Sequence, residues 1–252
     1  MEKIRSVPYK VNSRWAFYRV LQAGFLSNKK DINRFDYATS RARKRFYGEW
    51  KPDTLTDTIR HPNFKGESTV SFWYETDTVQ AQPYYVQLWF EAEAMHQQFE
   101  YYTKPYRVSL IPFRGDASIP LKWTIAKKLE EAHEKHQKPI KILYFGDRDD
   151  KGEQILEAAL KDIRAWCKIS FDIEHVGLTL EQAKAFQLPE NPEHPGAFQW
   201  EALEDTQAKQ LILGSLEQYI EPIPSVLLDQ EQGVRAKIES AISDVLNREP
   251  EI

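Results

Sequence analysis

The sequence predicts an α/β protein: a mainly parallel sheet flanked by helices, behind a separate helical N-terminal segment. Three observations carry this. Four apolar runs, YYVQLWF (84–90), RVSLIPF (107–113), KILYF (141–145) and SFDIEHV (170–176), have strand length and a β-branched, aromatic composition. Helical patterns at about 92–103, 117–136 and 151–166 separate them, and such alternation implies parallel pairing through right-handed crossovers. The charge is also divided. The net charge is −4, yet residues 1–66 hold 15 Lys/Arg against 6 Asp/Glu, and the remainder holds 19 against 32. A basic head on an acidic body implies two functional regions, expected at 1–75 and 76–252.

In the head, residues 14–26 read as a helix. Phe17, Val20, Leu21 and Gly24 form one stripe, while Arg14, Tyr18 and Gln22 stack on a neighbouring face at i, i+4 and i+8. Asn28 can open a second helix over roughly 30–47, which carries Arg34, Arg41, Arg43, Lys44 and Arg45, and Gly48 suits its end. A hairpin is expected over 55–74, with Asn63-Phe64-Lys65-Gly66 as its turn. Two short helices followed by a hairpin describe a winged helix-turn-helix. Beyond the sheet, helices are expected near 205–221 and 230–247, after a loop marked by Pro189, Pro192 and Pro195.

Composition excludes several classes. The 7 Trp, 12 Tyr and 13 Phe are incompatible with a disordered acidic polymer. Cys167 is the single cysteine, so neither an internal disulfide nor a cysteine metal cluster is available. No apolar stretch approaches the roughly 18 residues of a membrane span, and Met-Glu-Lys-Ile-Arg does not begin a signal peptide. A soluble cytoplasmic protein, nucleoid-associated in a prokaryote, is expected, without a membrane partner. His133 and His136 fall on a Lys/Glu-rich helix face, and His61, His96, His175 and His194 lack ligand spacing. There is no GxxxxGK[ST] phosphate loop, so ATP-driven work would need a separate ATPase subunit.

The chemistry-bearing acids sit at strand ends. Glu91 directly follows the first strand, and Asp147 and Asp149 follow KILYF in the segment Gly146-Asp147-Arg148-Asp149-Asp150-Lys151-Gly152. Ligands of open α/β sheets bind at the carboxyl ends of strands. Alternate residues of an extended segment share a side, so Asp147 and Asp149 can point together. Converging carboxylates repel unless a cation or protons intervene, and hard oxygen donors without His or Cys suit Mg²⁺. The plainer alternative is that Asp147 or Asp149 caps the following helix, with Gly152 easing the turn. An EF-hand loop fits badly, because its fifth and twelfth positions would be Lys151 and Ala158. Tyr18 has its own plain alternative as a half-buried helix aromatic. The run Arg41, Arg43, Lys44, Arg45 reads as a phosphate-contacting helix face or as a merely solvated one. Ser118 either caps a helix or helps bind phosphate.

Together these motifs resemble the topoisomerase VI A subunit and its meiotic double-strand-break relatives. Arg14-Trp15-Ala16-Phe17-Tyr18 resembles that family's Arg-x-x-aromatic-Tyr motif, and Glu91 followed by Asp147 and Asp149 resembles its Toprim pattern. Arg45-x-x-Gly48 with Asp57-x-x-Arg60 is similar to the linker between helix and wing in small, mobile-element versions. Arg114-Gly115-Asp116-Ala117-Ser118 is similar to their second Toprim loop. Gly177-Leu178-Thr179 with Gln182, and Trp200-Glu201-Ala202-Leu203, resemble later segments, so the likeness runs over about 12–220. Asp150 departs from it, standing where these relatives often have Pro.

The resemblance implies an N-terminal winged-helix domain followed by a Toprim-like sheet, and a type IIB topoisomerase-like activity. Tyr18 would be the nucleophile that becomes linked to a DNA 5′ end, and Arg14 would bind the attacked phosphate. Glu91, Asp147 and Asp149 would hold Mg²⁺, and Arg41, Arg43, Lys44, Arg45, Arg60 and Arg114 would contact double-stranded DNA. A homodimer would cut both strands, with Tyr18 and the metal site of one centre supplied by different protomers and not meeting within one chain. Two other readings remain open. One is a Toprim nuclease that uses water and makes Tyr18 dispensable; the other is a non-catalytic DNA-binding module that acts through a partner.

Overall fold

The computed structural model describes residues 2–56, 72–91, 93–113, 117–191 and 194–246. From the N-terminus run α1 (Glu2–Arg5), α2 (Ser13–Gln22) and α3 (Ile32–Lys44). There follow β1 (Tyr85–Phe90), α4 (His96–Thr103), β2 (Ser109–Pro112), α5 (Ile119–His136), β3 (Ile140–Phe145), α6 (Asp150–Trp166) and β4 (Asp172–Gly177). The chain ends with α7 (Leu180–Ala185), α8 (Asp205–Leu216) and α9 (Ser225–Leu246). Each strand lies within one of the four apolar runs, save for Ile140 and Gly177 at two ends. All pair in parallel, in the order β2-β1-β3-β4. The α/β class and the parallel sheet expected from the sequence are therefore present.

Both faces of the sheet are covered. Val86, Leu88 and Phe90 of β1, with Leu143 and Phe145 of β3, pack against Phe99 of α4 and Ile212 and Leu216 of α8. Trp89, Ile142 and Tyr144 point the other way, against Ile125 and Leu129 of α5 and Ile155 and Ile163 of α6. This is why the strands are near-continuous apolar runs instead of alternating patterns. Burying each large apolar side chain contributes roughly 1.5–3 kcal/mol, so the central strands anchor the molecule.

The strand order places the site. The chain steps from β1 outward to β2, then returns past β1 to build β3 and β4 on its other side. The helix after β1 covers one face and the helix after β3 covers the opposite one. Neighbouring strand ends whose connections diverge leave a crevice between them, and here it opens between the carboxyl ends of β1 and β3.

The head has a small core of its own, with Trp15, Ala16 and Phe17 of α2 packed on Val7, Val11, Phe35 and Leu55. Asn12 caps α2 by accepting the Trp15 N–H at 3.0 Å. The helix is shorter than the expected 14–26 because the backbone turns left-handed at Gly24 (φ +76°), a conformation glycine adopts without steric cost. Gly24 is thus the exit of the helix, not part of its apolar stripe. α3 lies within the expected 30–47 and buries only Phe35 and Thr39, which leaves Arg34, Arg41, Lys44 and Arg45 exposed. The hairpin turn expected at 63–66 lies outside the described residues. α1 and α7 were not expected, being too short to show a period. α7 has a local cause: Thr179 and Gln182 form a reciprocal capping box. Among the described residues, no helix is long and apolar enough to cross a membrane.

Candidate functional site

The register of β1 and β3 brings the acids together. The Glu91 N–H donates to the Phe145 carbonyl at 3.0 Å, extending the ladder by one rung beyond Phe90 and Phe145. The Glu91 side chain then turns across the crevice, where Oε2 accepts the Asp147 N–H at 3.3 Å. Asp149 is the N-cap of α6, its Oδ1 accepting the Gly152 N–H at 2.6 Å. The capping alternative therefore holds for Asp149. Asp147 is different: its Oδ1 accepts the Trp200 N–H at 2.8 Å.

Gly152 is where the three meet. A Cβ on it would sit 3.0 Å from Glu91 Oε2, 3.1 Å from the Asp147 carbonyl oxygen and 3.3 Å from Asp149 Oδ1. In the first turn of a helix, alanine would ordinarily improve on glycine by up to about 1 kcal/mol. Here the methyl group must push carboxylates or backbone aside. Gly152→Ala is expected to leave thermal stability within about 1 kcal/mol of wild type, because the helical gain and the crowding oppose each other. It is expected to weaken divalent-cation binding by at least several-fold, measured by isothermal titration with Mg²⁺; unchanged binding would show that Gly152 is only a turn residue.

The other wall is the segment 197–203, which is tied to both parts of the chain. Phe198 and Arg148 exchange backbone hydrogen bonds at 2.8 and 2.9 Å. Trp200 is buried, with its indole N–H on Gln98 at 3.0 Å. Glu201, only 3 % exposed, forms an ion pair with Arg14 Nε at 2.9 Å. Gln22 donates to the Ala202 carbonyl at 2.6 Å, and Arg19 donates to the Leu203 carbonyl. The Arg14–Tyr18–Gln22 face read from the sequence is thus the face that docks on the sheet domain.

This docking corrects one expectation. Tyr18 and the acidic site were expected not to meet within one chain. Instead, Tyr18 lies within electrostatic reach of Glu201, Arg14 and Asp147 of its own chain, and Gln199 hydrogen-bonds its hydroxyl. The physical reason is the set of contacts that hold α2 against residues 201–204, a surface that no local pattern predicts.

The electrostatics are those of crowded carboxylates. Burial, then Glu201 and Glu91, push Asp147 well above the ordinary carboxylate range. Burial, joined by the charge of Asp149, also raises Glu91. Burial and the negative charge of Glu201 push the Tyr18 phenol up to about 12, and Arg14 opposes them. A cleft of about 540 Å³ opens beside Tyr18, between α2 and residues 186–191. Glu190 and Glu204 are its charged residues, so a phosphate is better received from the Arg14 side.

The donor set suits a hard divalent cation: the Glu91 and Asp149 carboxylates and the Asp147 carbonyl oxygen converge on one glycine, and the Asp147 carboxylate lies within repulsive reach of Glu91. Among the described residues, no three acid, His or Cys side chains already form a metal cage. One oxygen of each acid is engaged by a backbone N–H, so a cation would be shared among the remaining oxygens, water and phosphate.

Of the DNA-contact candidates, Arg41 and Lys44 are exposed on α3, Arg45 is exposed at its C-cap, and Arg43 is half-buried with its Nε on the Thr39 carbonyl at 3.4 Å. Arg60 and Arg114 lie outside the described residues. Ser118 caps α5 through the Leu121 N–H at 3.3 Å. Glu201 is the residue the sequence reading did not place in the site. Its signal was a lone carboxylate inside the apolar segment Ala197-Phe198-Gln199-Trp200-Glu201-Ala202-Leu203, since buried acids are rare without a partner. Comparison of the chain with family models, curated proteins and solved structures returned no match.

Proposed function

We propose that this chain is a topoisomerase VI A-like, type IIB DNA strand transesterase. Its head would be a winged helix and its sheet a Toprim-type Mg²⁺ site. The observation that supports the reading most is the convergence of Arg14 and Tyr18 from α2 with Glu91, Asp147 and Asp149 at the β1–β3 crevice.

In this reading the Tyr18 oxygen attacks a DNA phosphorus, the P–O3′ bond breaks, and the 3′ oxygen leaves as a hydroxyl. The 5′ phosphate stays esterified to Tyr18, and reversal rejoins the strand. Arg14 holds the non-bridging oxygens, for which its planar fork is suited. The phenol must lose its proton, and the carboxylates facing it are Glu201 and Asp147. Mg²⁺ bound by Glu91, Asp147 and Asp149 would supply charge neutralisation to the phosphate and the leaving oxygen. Double-stranded DNA, a second copy of the chain and a separate ATPase subunit are the partners this reading calls for.

The test is denaturant trapping on supercoiled DNA with Mg²⁺, with the chain alone and with any genetic neighbour. Protein covalently attached to 5′ ends supports transesterification. One observation favours a second reading: Tyr18 is buried and its phenol is raised to about 12, which favours water over tyrosine as the nucleophile. Free 5′-phosphate ends without protein would establish that reading, and the absence of any cleavage would leave a DNA-binding module.

The exposed basic face of α3 gives a separate expectation. Replacing Arg41, Lys44 and Arg45 together by Ala should reduce the slope of log K against log[salt] for duplex DNA by about 2.7, at about 0.9 per lost phosphate contact. An unchanged slope would make this face a merely solvated one.

A further inference from the structure

We infer that Glu201 is a positioning residue that aims the Arg14 guanidinium fork into the crevice as an anion receptor. The inference rests on the reading above for the identity of the anion, a DNA phosphate, but its geometry stands apart from that reading.

Glu201 meets Arg14 through Nε, the inner nitrogen of the guanidinium, at 2.9 Å. Among the described residues, the two terminal nitrogens take no hydrogen bond. The Arg14 side chain is 47 % exposed, whereas that of Glu201 is 2 % exposed. The inner end of the guanidinium therefore lies against a buried charge, and its terminal nitrogens keep their donors unspent within charge range of Tyr18, Asp147 and Glu91. A carboxylate that neutralised Arg14 for stability alone would gain more from a bidentate pair with the fork.

The backbone around Glu201 is equally fixed. Its neighbour Trp200 donates to Asp147, and Phe198 pairs with Arg148 in the acidic loop. A shift of the acidic loop is thus passed through residues 198–201 to Arg14. Neither Glu201 carboxylate oxygen has a hydrogen-bond partner among the described residues, so the ion pair with Arg14 is the contact that offsets its burial. In the reading above, the segment keeps the anion-binding fork and the carboxylates in register at one phosphate.

The experiment uses the full chain with Glu201→Gln, which keeps size and removes charge. The Arg14 Nε–H proton signal, assigned by its loss in Arg14→Lys, should be protected from solvent exchange in the wild type. It should exchange at least about tenfold faster in Glu201→Gln. Single-turnover cleavage should fall roughly 10- to 100-fold, the scale of misplacing a binding group by about 1 Å, while duplex affinity changes less than about twofold. Glu201→Gln added to Arg14→Ala should have no further effect, because Glu201 acts through Arg14.

Equal Nε–H protection in wild type and Glu201→Gln, or additive losses in the double variant, would overturn the inference. If Glu201→Gln does not fold, Glu201→Asp keeps the charge on an arm one methylene shorter, and retained Nε–H protection there would overturn it as well. If the wild type forms no covalent adduct, the transesterase reading falls, and the Nε–H measurement still decides the role of Glu201.

Discussion

Tyr18→Phe is expected to abolish the covalent protein–DNA adduct and to lower strand cleavage by roughly four orders of magnitude or more, the scale on which removing a covalent nucleophile acts. The variant should fold. Tyr18 is buried, with its ring edge-on to Phe17 at 5.5 Å, and phenylalanine keeps that packing. Its phenol is neutral at physiological pH, since it is raised to about 12, so no charge is lost. What is lost is the hydroxyl's hydrogen bond with Gln199, about 0.5–1.5 kcal/mol. A thermal melt close to wild type combined with loss of the adduct would make the effect chemical. Cleavage by Tyr18→Phe at the wild-type rate, with free 5′ phosphates, would transfer the reaction to water. The raised phenol adds a pH signature. The reactive phenolate fraction increases tenfold per pH unit below about 12, so transesterification limited by it should rise steadily with pH.

Much of this site was legible because its parts are local in sequence. Glu91 and Asp147 each stand just past an apolar run, and strand ends are where open sheets bind ligands. Arg14, Tyr18 and Gln22 share a helix face by spacing alone, and that face proves to be the docking surface. What the sequence withheld is long-range. Glu201 comes from a distant loop, and nothing near it names Arg14 as its partner. The end of α2 depended on one left-handed residue, Gly24, which a periodic pattern reads as one more small apolar position. Asp147 and Asp149 look equivalent in Asp-x-Asp, yet one caps α6 and the other is drawn inward by the Trp200 N–H. That difference lies in a tertiary contact, so it appears only once residues 197–203 have folded over the loop.

Asp147→Asn is expected to produce opposite effects on stability and on activity. Asp147 is raised well above the ordinary carboxylate range, first by burial and then by Glu201 and Glu91. A carboxyl group raised in the folded state contributes stability that is complete below its unfolded pKa and is lost as pH climbs through the raised value. Metal-free wild type should therefore lose stability as pH rises from about 4 toward neutrality. Asparagine keeps an oxygen for the Trp200 N–H and never ionises, so the metal-free variant should melt higher at neutral pH. A rise of about 2–4 °C corresponds to about 1 kcal/mol in a chain of this size. Mg²⁺ should reverse the ranking. At a hundred times its dissociation constant, a cation that binds the folded wild type adds about 2.7 kcal/mol, and Asp147→Asn should gain much less. Mg²⁺-dependent cleavage by the variant should drop at least about a thousandfold, in line with the several kcal/mol that a metal's charge stabilisation supplies. Differential scanning calorimetry of both proteins, with EDTA and with Mg²⁺ between pH 4 and 8, reads the two halves together. Equal Mg²⁺ stabilisation of wild type and variant would remove Asp147 from the metal site. A variant that melts lower than wild type in EDTA would show that the crowded carboxylates are already neutralised by Arg14.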